Sequence, residues 1–347
     1  MVSRPVLSDV ARLAGVSAMT VSNVMNGKQG VAEATRKRVL DAAAVVGYVP
    51  NLAARGLARG RTNLIGVISH DMTVQYAWEI VRGITDQLAE VGLEILISAT
   101  YQDASRELER VRFLTTGLVD GLILIGPVLE AETLDALKTA STPSVIVDPR
   151  KIDLDHPRVF VDNYGGARAA VDHLIELGHT RIGLLEGDPT FDSSRERRRG
   201  YEDALGAASI ALDSELYGVG DFTQSGGFTA TMGLLEIPNR PTAIFATADV
   251  SAMGAIDAAR ARGLEIPADL SVVGFDDIPQ AQVAFPALTT VRQPLEDSGR
   301  RAVQMLLQLI AGEPLDQDFI ELPTTLILRE TAVPLGVVAS NDSENHG

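Results

Sequence analysis

A chain of 347 residues with 46% apolar content is long enough for two or three packed lobes. The absence of cysteine excludes disulfides, iron–sulfur clusters and thiol catalysis, and agrees with a reducing compartment. No run of about 18 apolar residues occurs, the start "MVSRPVLSDV" lacks the apolar core of a secretory signal, and the net charge is −16, so a cytoplasmic protein without membrane contact is expected.

That charge is unevenly placed. The first 62 residues hold nine basic against three acidic side chains, a net +6 that leaves −22 for the rest. A basic head on an acidic body is the balance expected when one end meets a polyanion. The five histidines lack metal-ligand spacing. His173 and His179, which flank "LIELG", are read as a helix surface and its exit, and no metal is expected.

In "LSDVARLAGVSAMTVSNVMNG", Ser8 is placed to cap a helix with an apolar stripe of Val10, Leu13 and Ala14, which Gly15 ends. Ser17 then caps a second helix, Ala18 to Met25, with Val21 and Val24 inward, and Asn26-Gly27 stop it. Two such helices cannot bury a core alone. "EATRKRVLDAAAVVGY" supplies a third, with Val39, Leu40, Ala43 and Val46 at helical spacing, and the three read as a helix-turn-helix unit.

The second helix is nearly uncharged. That suits a recognition helix, where short polar and apolar groups read base edges while phosphates are held from the flanks. Ser17, Ala18, Met19, Thr20, Ser22 and Asn23 are the candidate DNA contacts on it. Ala18 and Met19 can touch a thymine methyl, Thr20 and Ser22 can hydrogen-bond phosphate or bases, and Asn23 can offer its amide to an adenine edge. Arg36 and Lys37 are reachable phosphate partners. A three-helix protein-interaction domain is the competing reading, which the basic sign argues against.

Next comes "YVPNLAARGLARGRTNLIGV". Asn51 can cap a short helix "LAARGLA", which Gly56 and Gly60 keep marginal, since Gly costs about 1 kcal/mol against Ala. A segment near the folding threshold can be ordered by a ligand such as DNA. Leu57 is its exposed apolar residue, suited to wedge between base steps in a minor groove.

"LSDVARLAGVSAMTVSNVMNG", "VAEATRKRVLDAAAVVGYVPN" and "LARGRTNLIGV" resemble the head and hinge of the LacI/GalR family of bacterial repressors, and the similarity runs to about residue 335. The resemblance implies base reading by Ala18, Met19, Thr20 and Asn23. It also implies paired hinge helices in a central minor groove, with Leu57 as the intercalating residue. The organisation expected is a helix-turn-helix domain over 1–48, a hinge over 49–61, an effector-binding and dimerisation domain over 62–335, and a disordered tail over 336–347. No leucine heptads follow the body, so a homodimer is expected on a palindromic, double-stranded operator in the nucleoid.

From residue 63 onward, apolar runs alternate with helical stretches: "NLIGVIS", "LEILISA", "GLILIGP", "PSVIVD", "RVFVD", "RIGLLEG", "TAIFATA" and "SVVGF". Continuous rather than alternating runs predict parallel strands covered on both faces, joined as βαβ units. A weak internal repeat, "RGITDQL" at 82–88 and "RGYEDAL" at 199–205, suggests two similarly built lobes. The fold class expected is therefore an all-α head plus an α/β body of two parallel-sheet, Rossmann-like lobes. The resemblance implies the architecture of periplasmic sugar-binding proteins. The N-lobe would take about 62–162 and 292–322 and the C-lobe about 163–290 and 323–335, with crossings near 162–164, 290–292 and 322–325.

Ligands of such sheets bind at the carboxyl ends of the strands. Arg197 matches the family arginine that clasps effector hydroxyls or carboxylates, and a planar five-donor fork suits a vicinal diol. Asp276 stands where the family places an acceptor for sugar hydroxyls, with Asp277 beside it read as structural and Asp148 as a weaker candidate. Phe222 in "GDFTQSGG" takes the place of an aromatic that stacks on the ligand ring, and Tyr76 or Trp78 could supply the opposing wall. Arg195, Arg198 and Arg199 are read as surface charge. Ala248 and Leu295 depart from the family pattern, which carries an asparagine and, in some members, an aromatic ring there.

Three functions compete: a DNA-binding repressor governed by a sugar-like effector, a sugar-binding transport receptor, and an enzyme acting on a sugar. The head and the missing secretory signal argue against the receptor. Against the enzyme, the cleft candidates include no nucleophile–base couple, metal cluster or phosphate-cradling glycine loop. "GVGDF" at 218–222 lacks the third glycine of a nucleotide fingerprint and is not expected to stand between a strand and a helix. No cofactor is expected. Within the first class, control by a partner phosphoprotein is the runner-up.

Overall fold

The computed structural model describes residues 5–48 and 61–336. The chain divides into two units, Met1–Thr62 and Asn63–Gly347. The calls on Asn51, Leu57 and the short hinge helix, and on the tail beyond Gly336, lie outside the described residues.

The head has helices α1 (Leu7–Ala14), α2 (Ala18–Met25) and α3 (Glu33–Val46). Ser8 does not cap α1. The helix begins two residues earlier, with Val6 in the cap position, because the Asp9 carboxylate reaches back to accept the Val6 backbone N–H at 3.0 Å and so closes the first turn itself. Gly15 ends α1 in the left-handed region at φ 63°. The Ser17 hydroxyl caps α2 by accepting the Thr20 N–H at 3.1 Å. The core is built from Val10, Ala11, Ala14, Val21, Val24, Val39, Ala42 and Ala43. Alanines in this set bring the short helices close together. Leu13 and Leu40, expected inside, are instead exposed. Ser17→Ala should cost about 1 kcal/mol of α2 stability, read as roughly five-fold faster hydrogen exchange of the α2 amides in the full-length chain.

In the body, the apolar runs become β1 (Leu64–Ser69), β2 (Glu94–Ala99), β3 (Gly121–Ile125), β4 (Ser144–Val147) and β5 (Arg158–Val161). Helices α4 (Gln75–Glu90), α5 (Ala104–Leu114) and α6 (Ala131–Thr139) connect them. The chain then crosses into the second lobe through α7 (Asn163–Glu176), β6 (Ile182–Glu186), α8 (Asp192–Ala207), β7 (Tyr217–Val219) and α9 (Gln224–Glu236). That lobe continues through β8 (Ala243–Ala246), α10 (Asp249–Ala261), β9 (Ser271–Asp276), α11 (Pro279–Val283) and β10 (Thr289–Arg292). It returns with α12 (Leu295–Ala311) and β11 (Phe319–Leu322), and crosses a third time to β12 (Thr325–Ile327). The crossings follow β5, β10 and β11, the middle one about three residues later than expected.

Each lobe is a six-stranded sheet, ordered β11-β5-β4-β3-β1-β2 and β12-β10-β9-β8-β6-β7. The first is parallel throughout. In the second, β12 runs antiparallel to β10, which departs from the expected parallel pattern at one edge. An edge strand entered directly from the other lobe needs no βαβ crossover, so nothing fixes its direction as parallel.

The repeat has a packing cause. In α4, a Cβ on Gly83 would stand 1.9 Å from the Glu296 carbonyl oxygen of α12, and one on Gly299 would stand 2.2 Å from the Ile80 oxygen. In α8, a Cβ on Gly200 would stand 2.6 Å from the Tyr164 oxygen of α7. The glycine of each "RG" therefore marks where the helix that follows the first strand of a lobe meets a partner helix backbone to backbone. A third such pair, Gly227 of α9 with Gly254 of α10, has no counterpart in the repeat.

Candidate functional site

At the carboxyl ends of the strands, the two lobes enclose a cavity of about 150 Å³. The N-lobe contributes Tyr76 at the start of α4 and Asp148 just after β4, while the C-lobe contributes Arg197 of α8, Phe222 and Asp276 at the end of β9. Five of the six expected effector residues thus line one space.

Arg197 is only 4% exposed. Its Nε donates to Asn163 Oδ1 at 2.8 Å and its Nη1 to the Thr247 carbonyl at 2.6 Å. The guanidinium lies 3.8 Å over the Phe275 ring, and Nη1 is 3.7 Å from Asp276 Oδ1. These contacts use two of the five N–H groups, so the fork is fixed in place with donors to spare toward the cavity that it lines. Its neighbours are surface charge as read: Arg195 pairs with Asp192, Arg198 with Glu186 and Glu202, and Arg199 with Glu196.

Asp276 is held at φ 127° and accepts from Gln293 Nε2 at 2.6 Å. Burial pushes it up to about 6, against the opposing pull of Arg197 and Gln293. The wholly buried Asp249, which accepts from Thr290 Oγ1 and the Ile278 N–H, is also raised by burial and by Asp276. Asp277 is structural, held between Arg292 and Arg329 at 2.6 Å each. On the N-lobe side, the Tyr76 hydroxyl donates to Asp148 Oδ2 at 2.9 Å. Burial and the Asp148 charge raise the Tyr76 phenol well above its usual value, so it remains a donor.

A pH effect follows. Asp276 titrates higher in the folded chain than in the unfolded one, so its share of stability is fully present below about pH 4 and is lost as pH rises through about 6. His156, lowered to about 4 by burial, acts in the opposite direction over an overlapping range. The comparison must therefore be differential. The melting temperature of Asp276→Asn relative to wild type should rise between pH 4 and 6 and then level off, as read from thermal melts; a flat difference would contradict the assignment.

Trp78 does not line the cavity. It is 46% exposed, and its indole Nε1 donates to the Met72 carbonyl at 2.8 Å. Tyr76 and Trp78 stand two apart on a helix, about 200° around the axis, so both cannot face the cleft. Tyr76 is thus the N-lobe's ring in the cavity, and Phe191 of the C-lobe joins Phe222, which it meets edge-on at 6.1 Å. Phe222 and Asp221 both sit at φ 51°, and the ring lies so close over Gly187 that a Cβ there would be 2.0 Å from it.

His70, Gln75, Gln102 and Asp188 also line the cavity and were missed. His70 was legible, since it directly follows the strand run "LIGVIS". Arg150 was missed as well. It reaches across the lobes, with Nη1 donating to Thr190 Oγ1 at 2.9 Å and the guanidinium 4.2 Å over Phe191. "GVGDF" does stand between a strand and a helix, β7 and α9, contrary to expectation. Its Asp221 and Phe222 line the cavity.

In the head, Ser17, Ala18 and Met19 are exposed on α2, Met19 by 73%, while Thr20, Ser22 and Asn23 are half-buried. The Ser22 hydroxyl accepts from Asn26 Nδ2, and Arg36 donates to the Lys28 carbonyl. Lys37 is exposed. Among the described residues, no helix is long and apolar enough to cross a membrane.

A helix-turn-helix head joined in one chain to a two-lobed α/β body with a polar interlobe cavity defines a class of DNA-binding regulator. Residues 6–51 match the family described as "Bacterial regulatory proteins, lacI family", and residues 171–332 match a "Periplasmic binding protein-like domain". The HTH-type transcriptional repressor CytR of Escherichia coli (strain K12) is 35% identical over 323 residues, 93% of this chain and 95% of that one. The solved lac repressor dimer, bound to operator and the anti-inducer ONPF, matches at 31% identity with a TM-score of 0.85 over 95% of this chain and all of that one. A complex of the transcriptional regulator CelR with cellobiose matches at 33% identity and a TM-score of 0.73, again over 95% of this chain and all of that one. The chain belongs to the LacI family of DNA-binding transcriptional regulators, and it is not an enzyme.

Proposed function

We propose that this regulator represses transcription as a homodimer on a palindromic operator, with its grip on DNA governed by a small polyhydroxylated molecule in the interlobe cavity. The observation that carries this reading is Arg197, a guanidinium fixed by protein contacts and still offering donors to a cavity walled by acceptors from both lobes. Asp148 and Asp276 supply the complementary acceptors, and Tyr76 and Phe222 the walls. Solved relatives in complex with operator and with cellobiose support the same division of labour. Ser17, Ala18, Met19, Thr20, Ser22 and Asn23 are proposed to face the DNA, with Asn51 and Leu57 serving the central minor groove. A ligand can alter operator affinity only by binding one arrangement of the lobes better than the other.

The test is a mobility-shift titration on symmetric promoter fragments at low ionic strength. Binding should weaken steeply as salt is raised, because counterion release supplies much of the affinity. Ribose, cellobiose or nucleosides added at millimolar concentration should shift the operator midpoint at least ten-fold. If no such compound moves it, the protein-partner reading takes over.

A further inference from the structure

Away from the three crossings, the hydrogen bonds between the lobes gather, among the described residues, on two short segments: 150–152 of the N-lobe and 190–192 of the C-lobe. The Arg150 carbonyl accepts the Asp192 N–H at 2.7 Å, and the Asp192 carboxylate accepts the Ile152 N–H. Arg150 Nη1 donates to Thr190 Oγ1 at 2.9 Å, and its guanidinium lies 4.2 Å over the Phe191 ring. Its other arm reaches Gln102 Oε1 of its own lobe at 3.4 Å. None of Arg150, Ile152, Thr190 and Asp192 lines the cavity.

The place of these contacts gives them leverage. Asp192 is the first residue of α8, which no side chain caps, and its N–H is held instead by a carbonyl of the opposite lobe. Because Asp192 holds the Ile152 N–H in return, the two segments cap each other reciprocally, as in a capping box. The C-lobe loop is braced: Asp188 Oδ1 accepts the Thr190 N–H at 2.8 Å, and Arg195 holds both the Asp192 carboxylate and the Pro189 carbonyl. Arg197 stands five residues beyond Asp192 on the same helix, and Phe191, under Arg150, is part of the cavity wall. Parting of the lobes would uncap α8 and release the ring together.

We propose that Arg150 and Thr190 are positioning residues of a latch, outside the ligand cavity, that holds the lobes together with the chain's own atoms and so sets the regulator's operator affinity before any compound binds. An equilibrium between lobe arrangements moves only with contacts that one arrangement has and the other lacks. The Arg150–Thr190 bond and the stacking on Phe191 are such contacts, since they join residues of different lobes.

The experiment uses two variants of the full-length protein. Arg150→Ala removes the guanidinium but leaves the backbone groups of 150–152 in place, and Thr190→Val removes the acceptor at nearly constant shape. Neither deletes the bonds made by the Asp192 and Ile152 N–H groups, so hydrogen exchange of those two amides reads the parting of the lobes. Exchange there should quicken about five-fold in either variant, while the amides of β3 and β8, inside the lobes, keep their wild-type rates. Thr190→Ser, which keeps the hydroxyl, should behave as wild type. In a mobility-shift titration on symmetric promoter fragments with no compound added, the operator midpoint should move by about three-fold or more in both variants, in the same direction, and not in Thr190→Ser. Wild-type exchange at Asp192 and Ile152 in both variants overturns the latch. Faster exchange with an unmoved operator midpoint overturns its part in regulation, and quickening that extends to β3 and β8 reduces it to a packing contact. No cavity ligand enters the test, so the latch is decided apart from the small-molecule reading.

Discussion

Gly83→Ala should lower the stability of the body by about 3 kcal/mol, read as a fall in the urea midpoint with unchanged slope. The atom that a new methyl group would meet is the Glu296 carbonyl oxygen, at 1.9 Å, with the Glu296 carbonyl carbon and Cα at 2.7 and 2.8 Å. A side chain in that position could rotate away; a helix backbone cannot. α4 and α12 would have to separate along the line where Ile80, Ile84 and Leu88 share a core with Leu295, Val303 and Leu306. Interiors at crystal-like density absorb such shifts poorly. Ala is the better helix former by about 1 kcal/mol, which offsets only part of the loss. Gly233 in α9 is the control: nothing lies within 4 Å of its added Cβ and it carries no positive φ, so Gly233→Ala should stabilise by up to about 1 kcal/mol. Opposite signs at two helical glycines of one protein would separate close packing from propensity; equal signs would remove the packing account of the repeat.

That same repeat shows what sequence can carry. An Arg-Gly step at one position in two apolar-strand-then-helix units marked two equivalent helices correctly, because a glycine inside a helix is costly unless something needs the space. It could not name the facing residue, since Glu296 is more than 200 positions away. The strands with long apolar runs, such as "GLILI" and "SVIV", were legible for the same reason that they are buried on both faces. β7, β10, β11 and β12 were not. They have three or four residues each, include polar positions such as Thr289, Thr290 and Glu321, and owe their extended form to pairing with a neighbour. In the site, residues at strand ends were placed well because topology forces those ends toward the cleft. Trp78 was misplaced by treating proximity in sequence as a shared direction, although helical spacing alone decides between it and Tyr76. Phe191 and Arg150 sit on loops whose course depends on contact between the lobes, and no local pattern encodes that.

Arg197 offers the second large effect, and the two substitutions there should separate. Arg197→Ala removes a buried guanidinium on which Asn163 Oδ1, the Thr247 carbonyl and Asp276 depend, and uncovers the face of Phe275. Leaving a buried carboxylate without its partner costs about 3–5 kcal/mol, so this variant should lose body stability and ligand response together. Arg197→Lys keeps the charge near Asp276 but cannot reach Asn163 and Thr247 while also presenting a planar fork to the cavity. It should fold with a smaller loss and bind operator as wild type does. The ligand concentration needed to move the operator midpoint should rise by at least ten-fold, about 1.4 kcal/mol of binding free energy. The readouts are a urea melt for stability and a mobility-shift titration for response, on the same preparation. If Arg197→Lys answers the ligand as wild type does, the guanidinium is there to hold β8 and β9 together, and recognition must rest on Asp148, Asp276 and the aromatic wall alone.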